Sequence, residues 1–328
     1  MRKLPKLSIL VIVYRMRRQA MNTLYSLSTH YQHQVNADEF EVVVMENRSD
    51  QNLFPAEVKA LGPNFHYKLR DEQKPTPVYA VNEGIDHCRG EYVCIMIDGA
   101  RMVSPGLVHN TLALLSAVPD SLICAPGYHL GTNIQKFHLS SGHDEVVEQQ
   151  LLDKIDWKSN GYRLFNISCF SEANMHGFFH PLMESNCMTC RKQAFLETGG
   201  AHEGFQTPGG GSVNLDMYRN LAMMDKNQLF ILAGEGSFHQ YHGGVTTSEA
   251  EDLEEVLASH REELKGIRGD YYHAALKEPV IYGQIPIEAH PFLQYSVERA
   301  IKRFRRFNRQ RVNPWSHDSE CKPFVKQI

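Results

Sequence analysis

The feature that most constrains the fold is a repeated pattern, in which a short and almost continuously apolar run ends in a polar turn. Residues 7–14, 40–45 and 92–97 are such runs, and the segments at residues 20–31 and 78–88 between them have helical spacing. Continuous apolar runs are typical of strands that are covered on both faces. Strands that alternate with helices form a mostly parallel sheet with right-handed crossovers. The sequence therefore predicts an α/β fold with flanking helices.

Acidic residues follow two of the predicted strands. Residues 46–50, which read Glu-Asn-Arg-Ser-Asp, come after the second run, and Asp98 and Gly99 come after the third. In open α/β sheets, ligands bind outside the carboxyl ends of the strands, where a carboxylate suits a divalent cation or a ligand hydroxyl. Taken alone, Asp98 could equally be the cap of a turn.

A second pattern that indicates a functional site lies further along the chain. Residues 229–233 predict a strand, and His239 and His242 follow it, three positions apart and just before two glycines. Histidine binds a metal as a neutral ring, so such a site would lose its metal at acid pH. A structural hydrogen bond is the alternative role for each of the two histidines.

Composition excludes several classes of protein. The chain has 328 residues, 42% of them hydrophobic, which supply a sizeable core, and its net charge of -4 argues against general nucleic-acid binding. The seven cysteines are scattered, which fits a reduced cytoplasmic setting better than a disulfide framework. No apolar run approaches the ~20 residues of a membrane-spanning helix. A dinucleotide-dependent oxidoreductase is excluded because no Gly-x-Gly-x-x-Gly loop follows the first strand.

The C-terminal part of the chain differs in kind. Residues 248–265 predict a charged helix, and residues 292–312 predict a basic amphipathic one. We therefore divide the chain into a main α/β domain at residues 1–247 and a helical C-terminal extension at residues 248–328. An apolar stripe beside a cationic face suits an anionic membrane surface, here the inner face of the plasma membrane. Packing of the same helix against the body of the protein is the alternative.

In their order and spacing, these motifs resemble those of the family 2 glycosyltransferases of the GT-A fold, particularly the bacterial enzymes of surface-polysaccharide assembly. The resemblance covers residues 8–244. Its motifs are the strand exit at residues 13–15, the turn at 46–50, Asn-Glu-Gly at 82–84, the approach to Asp98, and residues 199–205, which are similar to the signature Gly-Gly-Phe-Asp-Glu-x-Phe.

The resemblance implies the GT-A fold, a hexosyltransferase activity, a nucleotide-sugar donor with UDP as the most frequent nucleotide, and a glycan or lipid-linked acceptor. It implies that Glu46 contacts the nucleotide base. The full set of implied nucleotide-binding residues is Val13, Tyr14, Arg15, Glu46, Asn82 and Asp98. It also implies a divalent metal, Mn²⁺ or Mg²⁺, at Asp98. The second carboxylate of the family's Asp-x-Asp is absent here, and His239 or His242 could replace it.

The sequence does not identify the general base. The Glu-Asp signature that carries it in the family is absent, and Val-Asn-Leu-Asp stands at residues 213–216. Asp216 is one candidate, although it could cap its helix or pair with Arg219, and Glu184, expected at a strand end, is the other. A base on the side opposite the diphosphate implies inversion at the anomeric carbon. The Asp-x-Asp and Glu-Asp motifs are both altered here. The alternative hypothesis is therefore a catalytically degenerate protein that binds sugar nucleotides or acts as a scaffold.

Overall fold

A computed structural model describes residues 4–72, 74–133, 142–242 and 253–315. The strands are β1 (Leu7–Val13), β2 (Phe40–Asn47), β3 (Phe65–Arg70), β4 (Tyr92–Met96), β5 (Arg101–Val103), β6 (Ser121–Cys124), β7 (Gly127–Leu130), β8 (Ser168–Phe170), β9 (Met188–Arg191), β10 (Gln228–Leu232), β11 (Ser237–His239) and β12 (Val280–Tyr282). The α-helices are α1 (Arg17–Ser26), α2 (Pro55–Ala60), α3 (Val78–His87), α4 (Leu107–Ala117), α5 (Glu145–Ile155), α6 (Lys192–Glu197), α7 (Val213–Ala222), α8 (Leu253–Arg268) and α9 (His290–Gln310).

Eight strands form the main sheet, in the order β12-β10-β6-β9-β4-β1-β2-β3. Neighbouring strands are parallel except at β9, which runs antiparallel to both β4 and β6. Every residue of β1 and β2 is buried, because helices cover both faces of the sheet. This burial explains why the runs are almost continuously apolar, and the predicted mostly parallel sheet is confirmed.

Successive side chains of β1 enter two separate cores. Leu10 and Ile12 belong to the core that includes residues of α3 and α7, whereas Ile9 and Val11 belong to the core that includes residues of α1 and α4. The approach of α3 is so close that a Cβ at Gly84 would collide with Leu10. The glycine of the Asn-Glu-Gly motif therefore allows the helix to pack directly on the strand.

Between residues 128 and 177, where fading periodicity predicts a loop, the chain supplies two strands, β7 and β8, to a second, smaller sheet. Its four strands lie in the order β5-β11-β7-β8, and each has only three or four residues. Strands this short are too brief to show a period in the sequence. Aromatic rings stabilise this sheet, with Tyr128 stacked between Phe170 and Phe238 at centroid distances of 5.1 and 5.2 Å. The part of this region at residues 134–141 lies outside the described residues.

The C-terminal extension is attached to both sheets. Strand β12 pairs with β10 at the edge of the main sheet, and Phe292 of α9 joins the aromatic cluster of the second sheet. The predicted charged helix is α8, and its predicted start at residue 248 lies outside the described residues. The division of the chain into domains at residues 1–247 and 248–328 stays a prediction. Within the described ranges, no helix has both the length and the apolar character needed to cross a membrane.

Candidate active site

The carboxyl ends of the central strands meet at one edge of the main sheet. Strand β1 lies between β2 and β4, and Val13 at its end is opposite Glu46. Strand β9 runs the other way, so its first residue, Met188, lies beside Ile95 near the end of β4. Residues that follow β1, β2 and β4 therefore share an edge with residues that precede β9. This edge includes the predicted site residues Val13, Tyr14, Arg15, Glu46, Asp98 and Glu184.

Asp98, His239 and His242 converge beside this edge, although 141 positions separate the aspartate from the first histidine. The Nε2 atom of His239 lies 3.0 Å from Oδ2 of Asp98 and 3.0 Å from Nε2 of His242. Oδ1 of Asp98 lies 3.7 Å from Nε2 of His242. One carboxylate and two imidazoles thus offer ligand atoms that all lie within 4.8 Å of one another, a set that could hold a metal ion.

Burial determines the protonation of this cluster. It lowers the pKa of His239 to about 4, so the ring is neutral at pH 7. Burial by itself would raise the pKa of Asp98, but His239, His242 and Arg101 outweigh it and hold that pKa well below its usual range. At neutral pH the site therefore presents a carboxylate and a neutral imidazole, the forms that bind metal.

Arg101 is a member of the cluster that sequence analysis missed. It begins β5, three residues after Asp98, and its Nε atom lies 3.3 Å from Oδ2 of that aspartate. The side chain is 10% exposed and the backbone amide of Ala100 donates to the other carboxylate oxygen at 2.9 Å. Together these contacts orient Asp98. The short strand β5 gives no signal in the sequence that would place Arg101 here.

Glu46 and Asn82 are occupied by contacts within the protein. The buried carboxylate of Glu46 accepts hydrogen bonds from the Leu53 amide at 3.0 Å and from the Tyr67 hydroxyl at 2.6 Å. The amide of Asn82 donates to the Ala201 carbonyl at 2.9 Å and accepts from the Ala201 amide at 3.0 Å. Glu46 thus stabilises the turn after β2. Asn82 connects α3 to residues 199–205, which carry the Gly-Gly signature. Their direct contact with a nucleotide stays a prediction.

The end of β1 combines a buried and two exposed residues. Val13 is fully buried, whereas the side chains of Tyr14 and Arg15 are exposed. Arg15 has a positive φ of 53° and pairs with Asp50 at 3.2 Å. A non-glycine residue in this conformation marks a sharp turn at the strand exit. Tyr14 and Arg15 are therefore accessible to a ligand at this edge.

The two candidate bases have different surroundings. Glu184 precedes β9 rather than lying within it, because the strand begins only at Met188. Its Oε2 atom accepts a hydrogen bond from Asn214 at 2.9 Å, and its Oε1 atom accepts no hydrogen bond from the described residues. Asp216 is buried in α7, and Arg268, rather than Arg219, donates to both of its oxygens at 2.7 Å. Both carboxylate oxygens of Asp216 are therefore occupied by hydrogen bonds within the protein.

The family model described as glycosyltransferase like family 2 matches residues 8–243. The chain belongs to this family. The match spans the strand exits, the cluster at Asp98 and the loop that carries His239 and His242. The predictions of a glycosyltransferase and of the GT-A fold are thereby confirmed.

Several solved structures resemble this glycosyltransferase weakly. S. aureus TarS 1–349 has 16% identity and a TM-score of 0.47 over 96% of this chain and 75% of that one. Its complex with UDP-GlcNAc has 15% identity and a TM-score of 0.47, with 94% and 78% covered. Mannosyltransferase PcManGT from Pyrobaculum calidifontis, in complex with GDP-Man and Mn²⁺, has 15% identity and a TM-score of 0.44, with 91% and 70% covered. No conclusion on substrate or metal follows from similarity at this level. None of the curated proteins matches the chain significantly.

Helix α1 of this glycosyltransferase holds the segment between the two histidines. The side-chain amide of Gln19 donates to the Tyr241 carbonyl at 2.7 Å, across 222 positions. Gln240 is fully buried, and its side chain donates to the Gln19 carbonyl at 2.9 Å and accepts from Asn22 at 2.9 Å. These hydrogen bonds hold Gln240 and Tyr241, the residues between the two histidines, against α1.

A buried carboxylate of α5 completes this support. Glu148 is completely buried, and its Oε2 atom accepts the Tyr241 amide at 2.5 Å while Oε1 pairs with Arg18 at 3.3 Å. Burial raises the pKa of Glu148 to about 7, because desolvation outweighs the Tyr241 amide and Arg18. Sequence analysis missed Glu148, since no local pattern distinguishes it from the other acids of α5.

Replacing Glu148 by glutamine is expected to weaken Mn²⁺ binding by about tenfold at pH 8, where Glu148 is ionised. The reason is that loss of a group that orients metal ligands costs 10–100-fold in metal affinity. Titration of Mn²⁺ followed by electron paramagnetic resonance measures this affinity. The matched control is E57Q, the same change in α2 at a half-exposed carboxylate that pairs with Arg17. Equal Mn²⁺ affinity in E148Q, E57Q and the unmodified chain would contradict the role of Glu148.

Proposed function

We propose that the protein is an inverting, metal-dependent glycosyltransferase. It transfers a hexosyl group from a nucleotide-sugar donor to a hydroxyl of a glycan or lipid-linked acceptor in surface-polysaccharide synthesis. The observation that carries this proposal is the convergence of Asp98, His239 and His242 at the carboxyl edge of the sheet. In α/β sheets this edge is where ligands bind.

The three side chains fit a divalent cation. A partly buried carboxylate and two imidazoles suit Mn²⁺ better than Mg²⁺, which prefers oxygen ligands and keeps several waters. The Nδ1 atom of His239 is buried without a hydrogen-bond partner among the residues described, and Asp98 and His242 orient the ring through its Nε2 atom. When bound, the cation neutralises the charge that develops on the leaving diphosphate.

The strand exits supply the proposed donor site. Tyr14 and Arg15 are exposed at the end of β1, and the turn shaped by Glu46 lies beside them at the end of β2. We assign the nucleotide to these exits and its diphosphate to the side of Asp98. UDP is the nucleotide expected from the family resemblance.

Glu184 is the proposed general base. It lies at the same sheet edge as Asp98, on the loop before β9, and is partly exposed. An acceptor hydroxyl has a much higher pKa than a carboxylate, so its proton must leave as the new bond forms. In the proposed step, the hydroxyl oxygen attacks the anomeric carbon opposite the diphosphate, and Glu184 takes the proton. The bond from the anomeric carbon to the diphosphate oxygen breaks, the nucleoside diphosphate leaves, and the configuration inverts.

Nucleotide binding tests this proposal first. Thermal unfolding and calorimetry are measured with UDP, GDP, CMP and dTDP, each with and without Mn²⁺. A ligand at 100 times its Kd adds about 2.7 kcal/mol to the free energy of unfolding, so one nucleotide should raise Tm by several degrees, and only with metal. Binding without turnover of any donor would favour the degenerate scaffold, and no shift with any nucleotide would refute the proposed donor site.

The site of action is the remaining part of the proposal. We place the enzyme on the cytoplasmic side of the plasma membrane, as a peripheral protein that meets its acceptor there. The support for this placement is the amphipathic, basic helix α9.

A further inference from the structure

The inner face of helix α9 is fixed to the body of the protein. Phe292, Ser296, Arg299 and Arg303 are its buried residues. The guanidinium of Arg303 donates to the His176 carbonyl at 3.0 Å and to another backbone carbonyl at 2.8 Å. Two of the basic residues of α9 therefore serve internal packing and are not available to an external partner.

The outer face of α9 carries a row of exposed apolar side chains. Val297, Ile301 and Phe304 are 40%, 44% and 62% exposed. Their spacing of four and then three positions places them along one stripe of the helix. Because Arg303 holds the opposite face of α9 through two backbone carbonyls, the stripe cannot turn inward without breaking those contacts. Contiguous exposed apolar surface of this kind marks a site of interaction.

A strip of positive charge lies next to the apolar stripe. Lys302, Arg305 and Arg309 are exposed, and at 3.6 residues per turn they occupy the adjacent side of the helix. Residues 290–312 contain seven Lys and Arg but a single acid, Glu298, although the whole chain has a net charge of -4. The positive charge is thus concentrated at this helix.

We propose that the outer face of α9 docks onto an anionic lipid surface. Val297, Ile301 and Phe304 enter the boundary between headgroups and acyl chains, and Lys302, Arg305 and Arg309 contact lipid phosphates. A lipid surface offers apolar and anionic partners side by side, which matches this arrangement. A second copy of the chain would cover the stripe but would bring the two cationic strips together, which is unfavourable. The inference rests on α9 alone and holds whether or not the proposed donor and metal sites are correct.

Binding of the full chain to vesicles tests this inference. Co-sedimentation is measured with vesicles of phosphatidylcholine and phosphatidylglycerol at 70:30 and with pure phosphatidylcholine, where ~30% anionic lipid supplies the surface potential. Each basic residue contributes about fivefold near an anionic surface, so K302Q/R305Q/R309Q should lower the partition coefficient by about 10²-fold. I301S/F304S should lower it by at least about tenfold. Higher salt should weaken binding of the unmodified chain.

Two control variants separate this site from general effects. K59Q/K154Q/R261Q removes three exposed positive charges from other helices, and V146S removes an apolar side chain of α5 that is 62% exposed. Both should bind anionic vesicles like the unmodified chain. Nucleotide binding, measured on all variants, should not change, so that failure of the donor site and failure of the lipid site are distinguished.

Three results would overturn the inference. The full chain could fail to bind anionic vesicles, it could bind neutral vesicles equally well, or K302Q/R305Q/R309Q could bind as well as its control. If, in addition, I301S/F304S converted a dimer into a monomer in light scattering, the stripe would be a contact between two copies of the chain.

Discussion

Replacement of Asp98 by asparagine is expected to lower the rate of glycosyl transfer by at least about 10³-fold and to abolish the Mn²⁺ dependence of nucleotide binding. Among the described residues, Asp98 supplies the only carboxylate of the cluster with His239 and His242. Its loss removes both a metal ligand and the negative charge that offsets the cation, and electrostatic stabilisation of a leaving group is worth 10²–10³-fold or more. Donor turnover and calorimetry with Mn²⁺ measure the two effects.

The control for this prediction is D120N. Asp120 immediately precedes β6, at the opposite edge of the sheet, and its carboxylate pairs with Arg191 at 2.8 Å. D120N should keep metal-dependent binding and transfer. Both variants should retain the circular dichroism of the unmodified chain, and metal-dependent transfer at the normal rate in D98N would refute the proposed metal site.

Replacement of Glu184 by glutamine is expected to lower kcat by about 10²–10⁴-fold, the range that a positioned general base contributes, while the KM for the donor changes little. Glutamine keeps the shape of the side chain and an oxygen that can accept from Asn214, but it cannot take the acceptor proton. Steady-state kinetics with a glycan acceptor measure the effect. Binding of the nucleotide with Mn²⁺ should stay unchanged.

The variant D216N distinguishes the two candidate bases. Asp216 is held by Arg268 through two hydrogen bonds, so its replacement should lower the free energy of unfolding by about 1–3 kcal/mol, while the folded protein keeps most of its kcat. If D216N lost kcat and E184Q did not, the base would be Asp216. If both kept kcat, neither would be the base.

Strands whose pattern is visible in their own residues were predictable from the sequence. The runs that become β1, β2 and β4 are apolar because both faces of the sheet are covered, and this property is visible residue by residue. Parallel connections then bring their carboxyl ends to one edge, so Glu46 and Asp98 could be assigned to a common edge without coordinates. His239 and His242 were recognisable because they follow another apolar run.

Contacts across long separations were not predictable in this way. The partner of Asp216 is Arg268, 52 positions away, rather than the nearby Arg219, and Glu148 reaches Tyr241 across 93 positions. Such pairs depend on how helices pack against one another, and no periodicity encodes that packing. The second sheet was missed for a related reason, because strands of three or four residues are defined by their neighbours and not by their own sequence.

Helix α9 shows which properties the sequence determines and which depend on the tertiary structure. The sequence by itself predicted a basic, amphipathic helix at residues 292–312, since composition and a period of 3.6 residues are local properties, and α9 spans His290–Gln310. Only the tertiary structure decided that Arg299 and Arg303 lie inside and that Val297, Ile301 and Phe304 lie outside. The free energy of burial depends on which surface the body of the protein offers to the helix, and that surface is assembled from distant parts of the chain.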